Sequence, residues 1–308
     1  GGPARIKRQH ERGKQTARER LDMILDKDSF KEIGMLATYN RPRADGAGYE
    51  TTPSGLVAGL AKIDGRDVAI SAHDYTVSGG TTTTYLTRVK GEVGGFTDDL
   101  AYDYKIPLIS LVDGAGAGDE PNVTGSGSVF IPNGYYNRAL TLMDEVPVLG
   151  ALMGPAAGLA AGRSVLGHFT VMTRDTACLF MGGPPVVKVA LGFDIGKFEL
   201  GGAGVHTTVG GIDNVAEDEA DAMRQIRTVL SFLPQNVWEA PPVLPETDPI
   251  TRRGDELLKI MPENRRRAFD PRKIIGEIFD RDSFFEIGRD WGKSIVQGFA
   301  RIGGYPVG

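Results

Sequence analysis

Residues 146–188 read VPVLGALMGPAAGLAAGRSVLGHFTVMTRDTACLFMGGPPVVK, and the fold turns on how they are parsed. The apolar run 146–153 has the length of a fully buried strand, and Gly154-Pro155 predicts a turn at its end. Residues 156–166 are small and helix-compatible, so a helix is expected to start there with its first backbone N–H groups free and closely approachable. Such a helix start favours negative charge. Residues 168–172 and 176–181 then predict two further strands around an Arg174-Asp175 turn.

A second stretch has the same design. IPLISLV (106–112) predicts a buried strand, and DGAGAG (113–118) leaves it as a loop of small residues. Open α/β sheets bind ligands beyond the carboxyl ends of their strands, so two such loops are expected to face one pocket. Ser78, Gly79, Gly80 and Thr81 form a third small-residue turn, placed between a predicted strand and a helix over 83–100. The candidate substrate-binding positions are therefore these four together with Gly154, Pro155, Ala156 and Ala157.

Length and composition narrow the class. The 308 residues have 41% hydrophobic content, enough for one large or two medium domains, and the net charge of −5 offers no global attraction to nucleic acid or anionic lipid. Cys178 is the single cysteine and lies in an apolar run, so a packed thiol is expected and no disulfide or cysteine metal site. No apolar stretch reaches the length of a membrane span, and a cytoplasmic or organelle-matrix location is expected.

Taken in order, residues 3–25 are charge-dense and read as a solvated helix, basic but interleaved with Glu11, Glu19 and Asp22. Asp64-Gly65 between two apolar runs is a strong hairpin signal. His73 and His206 stand beside expected strands or the pocket, and structural roles are favoured for both, since no nucleophile or orienting carboxylate accompanies them. Lys90 reads equally as a phosphate contact or a surface lysine. Residues 121–132 are expected to cover the pocket ahead of a helix over 133–144, and a long helix is expected over 216–233 with its acidic residues in the first turns. Residues 235–249 form a proline-rich linker with Val237, Trp238 and Val243 as apolar anchors.

Several chemistries fail on spacing. GAGAGD puts Asp119 where a dinucleotide fingerprint needs its third glycine, and no Gly-Lys-Ser/Thr makes a phosphate loop. Ala156 and Ala157 stand where a serine hydrolase would place its nucleophile, and no His/Asp/Glu cluster has metal-ligand spacing. A pocket rich in backbone donors and poor in side-chain acids and bases remains, which suits the enolate of a thioester.

The chain also repeats itself. IFDRDSFFEIG (278–288) restates ILDKDSFKEIG (24–34), and GFARIGG (298–304) restates GLAKIDG (59–65) in the same order. Residues 1–240 are expected to form one complete domain and residues 241–308 a linker with the opening of a duplicate, truncated before its own loop and helix.

With RGKQTARERLDMILDKDSFKEIG (12–34), DYTVSGGT (74–81), MGPAAG (153–158), LGGAGVHTTVGGI (200–212) and the repeat, the chain resembles the carboxyltransferase β subunits of biotin-dependent acyl-CoA carboxylases, the propionyl-CoA carboxylase type. The resemblance implies an α/β fold of the crotonase/ClpP type, a ββα superhelix, and transfer of CO2 from carboxybiotin on a carrier protein to the α-carbon of an acyl-CoA. It implies no protein base and no metal. It places the catalytic amides at Ala115 and Gly116, where the family has paired glycines, and at Gly158 and Leu159, where a second glycine has become leucine. Both replacements make the pocket bulkier. The implied partners are a biotin carboxyl carrier protein, a biotin carboxylase subunit and further copies of the chain in a dimer or hexamer. Since the family's second half carries the other oxyanion hole, residues 1–308 alone are expected not to complete transfer. The alternatives are the α subunit of a biotin-dependent acyl-CoA decarboxylase, and a non-catalytic assembly subunit.

Overall fold

The computed structural model describes residues 1–36, 38–42, 46–80, 96–114, 137–246, 248–249, 251–264 and 266–308. Its strands in chain order are β1 (Lys31–Ile33), β2 (Thr38–Pro42), β3 (Tyr49–Pro53), β4 (Leu56–Ile63), β5 (Arg66–His73), β6 (Leu108–Gly114), β7 (Val148–Ala157), β8 (Phe169–Thr173), β9 (Cys178–Phe180), β10 (Asn214–Ala216), β11 (Phe285–Ile287), β12 (Gln297–Ile302) and β13 (Tyr305–Val307). The main sheet has the order β1-β4-β5-β6-β7-β8-β10, with β9 paired to the far end of β7. β1, β4 and β5 pair antiparallel, and every pairing from β5 onward through β10 is parallel.

Burial on both faces explains the unbroken apolar runs of the parallel strands. Ile70, Ile109, Leu111, Leu149, Ala151, Phe169 and Val171 point to one face, packed under the helices Ala17–Ile24 and Glu219–Phe232. Ala69, Leu108 and Val148 alternate to the other, where Leu100, Ala101 and Leu142 of the helices Phe96–Tyr104 and Asn137–Glu145 meet them. The hairpin expected at Asp64-Gly65 is present, with φ of 50° and 78° at the two turn residues.

Three expectations are corrected. The chain does not turn at Gly154: β7 continues through Gly154 and Pro155 to Ala157, and the helix begins at Leu159 and ends at Ser164. A register shift between Val112 and Gly114 of β6 marks an irregularity, after which residues 155–157 leave β8 and pair with β9. Proline is tolerated at such a bulge, where the ladder is already interrupted. The N-terminal segment is two helices, Pro3–Glu11 and Ala17–Ile24, broken at Gly13 (φ 71°) and restarted by a capping box of Thr16 and Glu19. Residues 3–8 and 10–13 are exposed as a solvated face would be, but Gln9, Lys14 and Arg20 are buried, so the segment also turns polar side chains inward. Finally, Val237, Trp238 and Val243 are exposed and are not buried apolar anchors; the linker is held by polar contacts, Asn236 donating to the Lys105 carbonyl at 3.0 Å and the Val237 N–H to the Glu145 carbonyl at 2.9 Å. The helix expected over 83–100 is described only from Phe96, and that over 133–144 only from Asn137; Lys90 and residues 121–132 lie outside the described residues.

The internal repeat recurs atom by atom. Asp26 accepts from the amides of Asp64 and Gly65 at 2.9 and 2.7 Å, and Asp280 accepts from those of Gly303 and Gly304, both at 2.8 Å. Ser29 and Ser283 each close a turn onto the carbonyls of Asp26 and Asp280, while Arg18–Glu32 and Arg272–Glu286 are matching two-pronged pairs. Asp28 and Asp282 both have a φ of 59°. The second copy's sheet, β11-β12-β13, packs on the first unit through Phe285 against Phe169 and Phe299 stacked on Phe232.

Candidate active site

The carboxyl ends of β6 and β7 lie side by side, with Gly114 opposite Ala156. What fixes them is a buried charge cluster. Asp113, fully buried, accepts from Lys14 Nζ at 2.7 and 2.9 Å and from Gln9 Nε2 at 3.0 Å, and its Oδ2 is 2.9 Å from Arg20 Nη1. Arg20 turns its other edge to Glu219, with contacts of 2.8 and 2.6 Å. Two carboxylates and two cations thus balance, and each charge has hydrogen bonds to replace its lost water. Burial pulls the Lys14 ammonium below its usual range, and the Asp113 carboxylate opposes that pull.

Two glycines exist for this cluster. A Cβ on Gly154 would sit 1.8 Å from Asp113 Oδ1, and one on Gly80 would sit 2.7 Å from the Asp113 carbonyl oxygen. Gly79 and Gly80 both have positive φ, at 62° and 69°. At Gly80, therefore, glycine serves close packing of backbone on backbone. His73 ends β5 in the same neighbourhood, where its Nδ1 is buried without a hydrogen-bond partner among the described residues. Burial holds its imidazole down to about 4, so it is neutral at ordinary pH.

At the end of β7, Gly158 adopts φ 63° and ψ −127° and donates its N–H to the Phe180 carbonyl at 3.1 Å. The donor available here is the next amide, that of Leu159, the first residue of a helix whose opening N–H groups have no partner one turn back. Ala156 is buried and Pro155 lines a cleft. Ala157 pairs with Phe180. The catalytic candidates Ala115 and Gly116 and the binding candidate Thr81 lie outside the described residues, and of Ser78 only the backbone is described.

The cleft holds about 440 Å³ and carries Arg12, Lys14 and Lys197 on its walls, with Tyr75, Pro155 and Phe198 as apolar surface and Asp175 and Thr176 at its side. Lys14 Nζ sits 4.1 Å from the Tyr75 ring centroid. Since Lys14 is paired with Asp113, Arg12 and Lys197 are the cations this aromatic-lined hollow offers, and they suit an anionic ligand with a flat or apolar part. No group of three or more His, Cys, Asp or Glu side chains among the described residues could hold a metal ion.

Sequence reading missed the cluster and most of the cleft. The signal for Arg20 was present, because Ala17, Arg20, Leu21 and Ile24 share one helix face and all are buried. Lys14 falls between helices and leaves no periodic trace. His206 bonds the Leu179 carbonyl at 2.7 Å, a structural partner.

Residues 8–308 match the family described as carboxyl transferase domain. The chain belongs to that family. This carboxyl transferase domain is 37% identical over its whole length to the propionyl-CoA carboxylase carboxyltransferase subunit of Haloferax mediterranei and 32% identical to the methylmalonyl-CoA decarboxylase subunit alpha of Veillonella parvula, spanning 58% and 59% of those proteins. It superposes on transcarboxylase 12S, solved with hydrolysed methylmalonyl-coenzyme A bound, with a TM-score of 0.85 at 31% identity, covering 99% of this chain and 59% of the other. The crotonase-like fold expected from the sequence is the fold of the carboxyl transferase domain found here. The chain spans less than two thirds of the length of these relatives.

Proposed function

We propose that the chain binds an acyl-CoA at the carboxyl ends of β6 and β7 and serves carboxyl transfer between carboxybiotin, a substrate delivered on a carrier protein, and the thioester α-carbon. The observation that carries the reading is the adjacency of the Leu159 helix start to the cationic cleft through Pro155 and Gly158. Arg12 and Lys197 bind the coenzyme's phosphates, and Tyr75 and Phe198 flank its organic part. Backbone amides at Leu159, and at Ala115 and Gly116 by family resemblance, stabilise negative charge developing on the thioester oxygen. Removing one such donor typically costs about 10² to 10³ in rate. Carboxybiotin supplies the carboxyl group, and the residues of this chain hold and polarise its acceptor.

Membership beside propionyl-CoA carboxylase and methylmalonyl-CoA decarboxylase subunits supports a short-chain acyl group and leaves two directions of transfer. Carboxylation is the primary reading; decarboxylation is favoured by the Veillonella relative alone among the three comparisons above. The proposed partners are a biotin carboxyl carrier protein, a biotin carboxylase and further copies of this chain. Met181, Val189 and Leu191 are all more than 60% exposed on or beside the helix Pro184–Leu191, which buries none of its residues, and this supports assembly. No helix among the described residues is long and apolar enough to cross a membrane, and a cytoplasmic or mitochondrial-matrix setting is proposed. In this reading residues 1–240 are a first carboxyltransferase domain and 241–308 the linker and opening of a second.

Isothermal titration with acetyl-, propionyl- and methylmalonyl-CoA against free CoA tests the reading. Tighter binding of one thioester than of free CoA is expected. A folded chain that binds no thioester would favour the assembly-subunit alternative instead.

A further inference from the structure

The helix that offers the Leu159 amide is six residues long, and its C-terminal turn is tied to a distant element by one side chain. Arg163 pairs through Nη2 with Asp98, on the Phe96–Tyr104 helix across the sheet end. Both side chains are largely covered, 19% exposed for Arg163 and 7% for Asp98. Arg163 Nη1 is buried with no hydrogen-bond partner among the described residues, so Asp98 is the carboxylate on which this guanidinium depends. Among the described residues, the charged groups facing Asp98 are Arg163 from the short helix, Asp99 from its own helix and Arg138 from the Asn137–Glu145 helix. Arg138 is paired with Asp99 at 3.3 Å and lies over the Tyr102 ring at 3.9 Å, which leaves Asp98 to Arg163.

We propose that Asp98 and Arg163 are positioning residues that form a latch: with Asp98 ionised the pair holds the Leu159–Ser164 helix in the orientation that presents its first amides to the thioester, and protonation of Asp98 releases it. The latch rests on the functional reading above for its purpose, although the coupling itself does not. Burial pushes the Asp98 carboxyl up to about 6, with Arg163 opposing, so the switch lies just below neutrality. Below that value a neutral acid faces a covered guanidinium, and the ion pair that fixes the helix is reduced to a single bond from a charged donor to a neutral acceptor. The other ties described for the short helix, Ser164 Oγ to the Ala160 carbonyl, Thr170 Oγ1 to the Ser164 carbonyl and the packing of Ala161 in the core, do not titrate.

The test uses the 308-residue chain as wild type, Asp98→Asn and Arg163→Lys. Hydrogen–deuterium exchange of peptides covering 156–168 is followed from pH 5 to 8, corrected for intrinsic exchange, together with the ratio of thioester to free-CoA affinity. In the wild type, protection of 162–164 is expected to fall about tenfold as pH drops through 6, the scale of one charge-assisted bond. Asp98→Asn is expected to show the low protection at every pH, and Arg163→Lys to keep the step at reduced amplitude. A cooperatively folded Asp98→Asn with wild-type protection, or a wild type with no step, overturns the latch. Should Asp98→Asn fail to fold, loss of the step in Arg163→Lys overturns it and retention supports it. Absence of any thioester preference in all three proteins refutes the functional reading, and the exchange data still decide the latch.

Discussion

Lys14 Nζ lies 2.7 Å from Asp113 Oδ1 across 99 residues of sequence, and this pair joins the N-terminal helices to the strand end that leads into the proposed oxyanion loop. Both side chains are 5% exposed or less, so neither partner can be rescued by water. Asp113→Ala strands Lys14 without its carboxylate partner and leaves Arg20 with Glu219 alone. A loss of about 3–5 kcal/mol in urea unfolding is expected. A loss below 1 kcal/mol would mean that the cluster relaxes into solvent.

Gly154→Ala tests the close packing of β7 against the charge cluster. Its methyl group would meet Asp113 Oδ1 at 1.8 Å and Lys14 Nζ at 2.8 Å, and neither group can retreat without breaking the cluster. Overpacking of this kind typically costs about 1–3 kcal/mol. A lowered melting temperature with weakened thioester binding is expected, because the same strand carries Pro155 into the cleft.

These two sites show where the sequence was informative and where it was silent. The strands were readable because burial on both faces demands unbroken apolar runs such as IPLISLV, and the hairpin because Asp64-Gly65 accepts positive φ. The parse of Gly154-Pro155 failed for a tertiary reason: β9, 21 or more residues on, supplies a new partner just where β7 leaves β8. A local rule against proline in strands does not contain that partner. The charge cluster was illegible for a related reason, since Lys14, Asp113 and Glu219 are joined only by the fold, and a charge-dense N-terminal segment ordinarily means solvent. The small-residue helix start was legible as composition, yet which amide is open there was not, because the Gly158 N–H is taken by the Phe180 carbonyl.

Stability should carry a histidine signature in acid. His73 is held at about 4 against its ordinary 6.5, so the unfolded chain binds the proton more readily than the folded one. Its contribution is therefore complete above about 6.5 and is lost as pH falls toward 4. His73→Gln should flatten the acid limb of a melting-temperature profile between those values. Asp98, raised to about 6, acts with the opposite sign, its contribution being lost as pH rises through 6, so Asp98→Asn should steepen the same limb.

The cleft's cations make a separable prediction. Arg12→Ala and Lys197→Ala should each weaken free CoA and its thioesters by a similar factor, of order tenfold for a charge-assisted contact to phosphate. The ratio between thioester and free CoA should stay unchanged, since neither side chain is assigned to the acyl end. The affinity of the wild type should fall with added salt, and each variant should show a shallower dependence. Titration at two ionic strengths checks both statements.

Leu159→Pro isolates the proposed oxyanion donor. Leu159 is the first residue of its helix, the position where proline is tolerated because the N–H it removes has no helical partner. Gly158 precedes it with φ 63° and ψ −127°, the mirror image of the extended conformation that residues before proline prefer, which glycine adopts freely. The substitution should therefore delete one amide while leaving the helix in place. In an assembly competent for transfer, the rate should fall by about 10² to 10³ with coenzyme A binding retained. An unchanged rate would remove the Leu159 amide from the mechanism, while a parallel loss of coenzyme A binding would mean that the proline disturbed the cleft and not the donor alone. Leu159→Gly separates these cases: it keeps the N–H that Leu159→Pro removes, so transfer should survive.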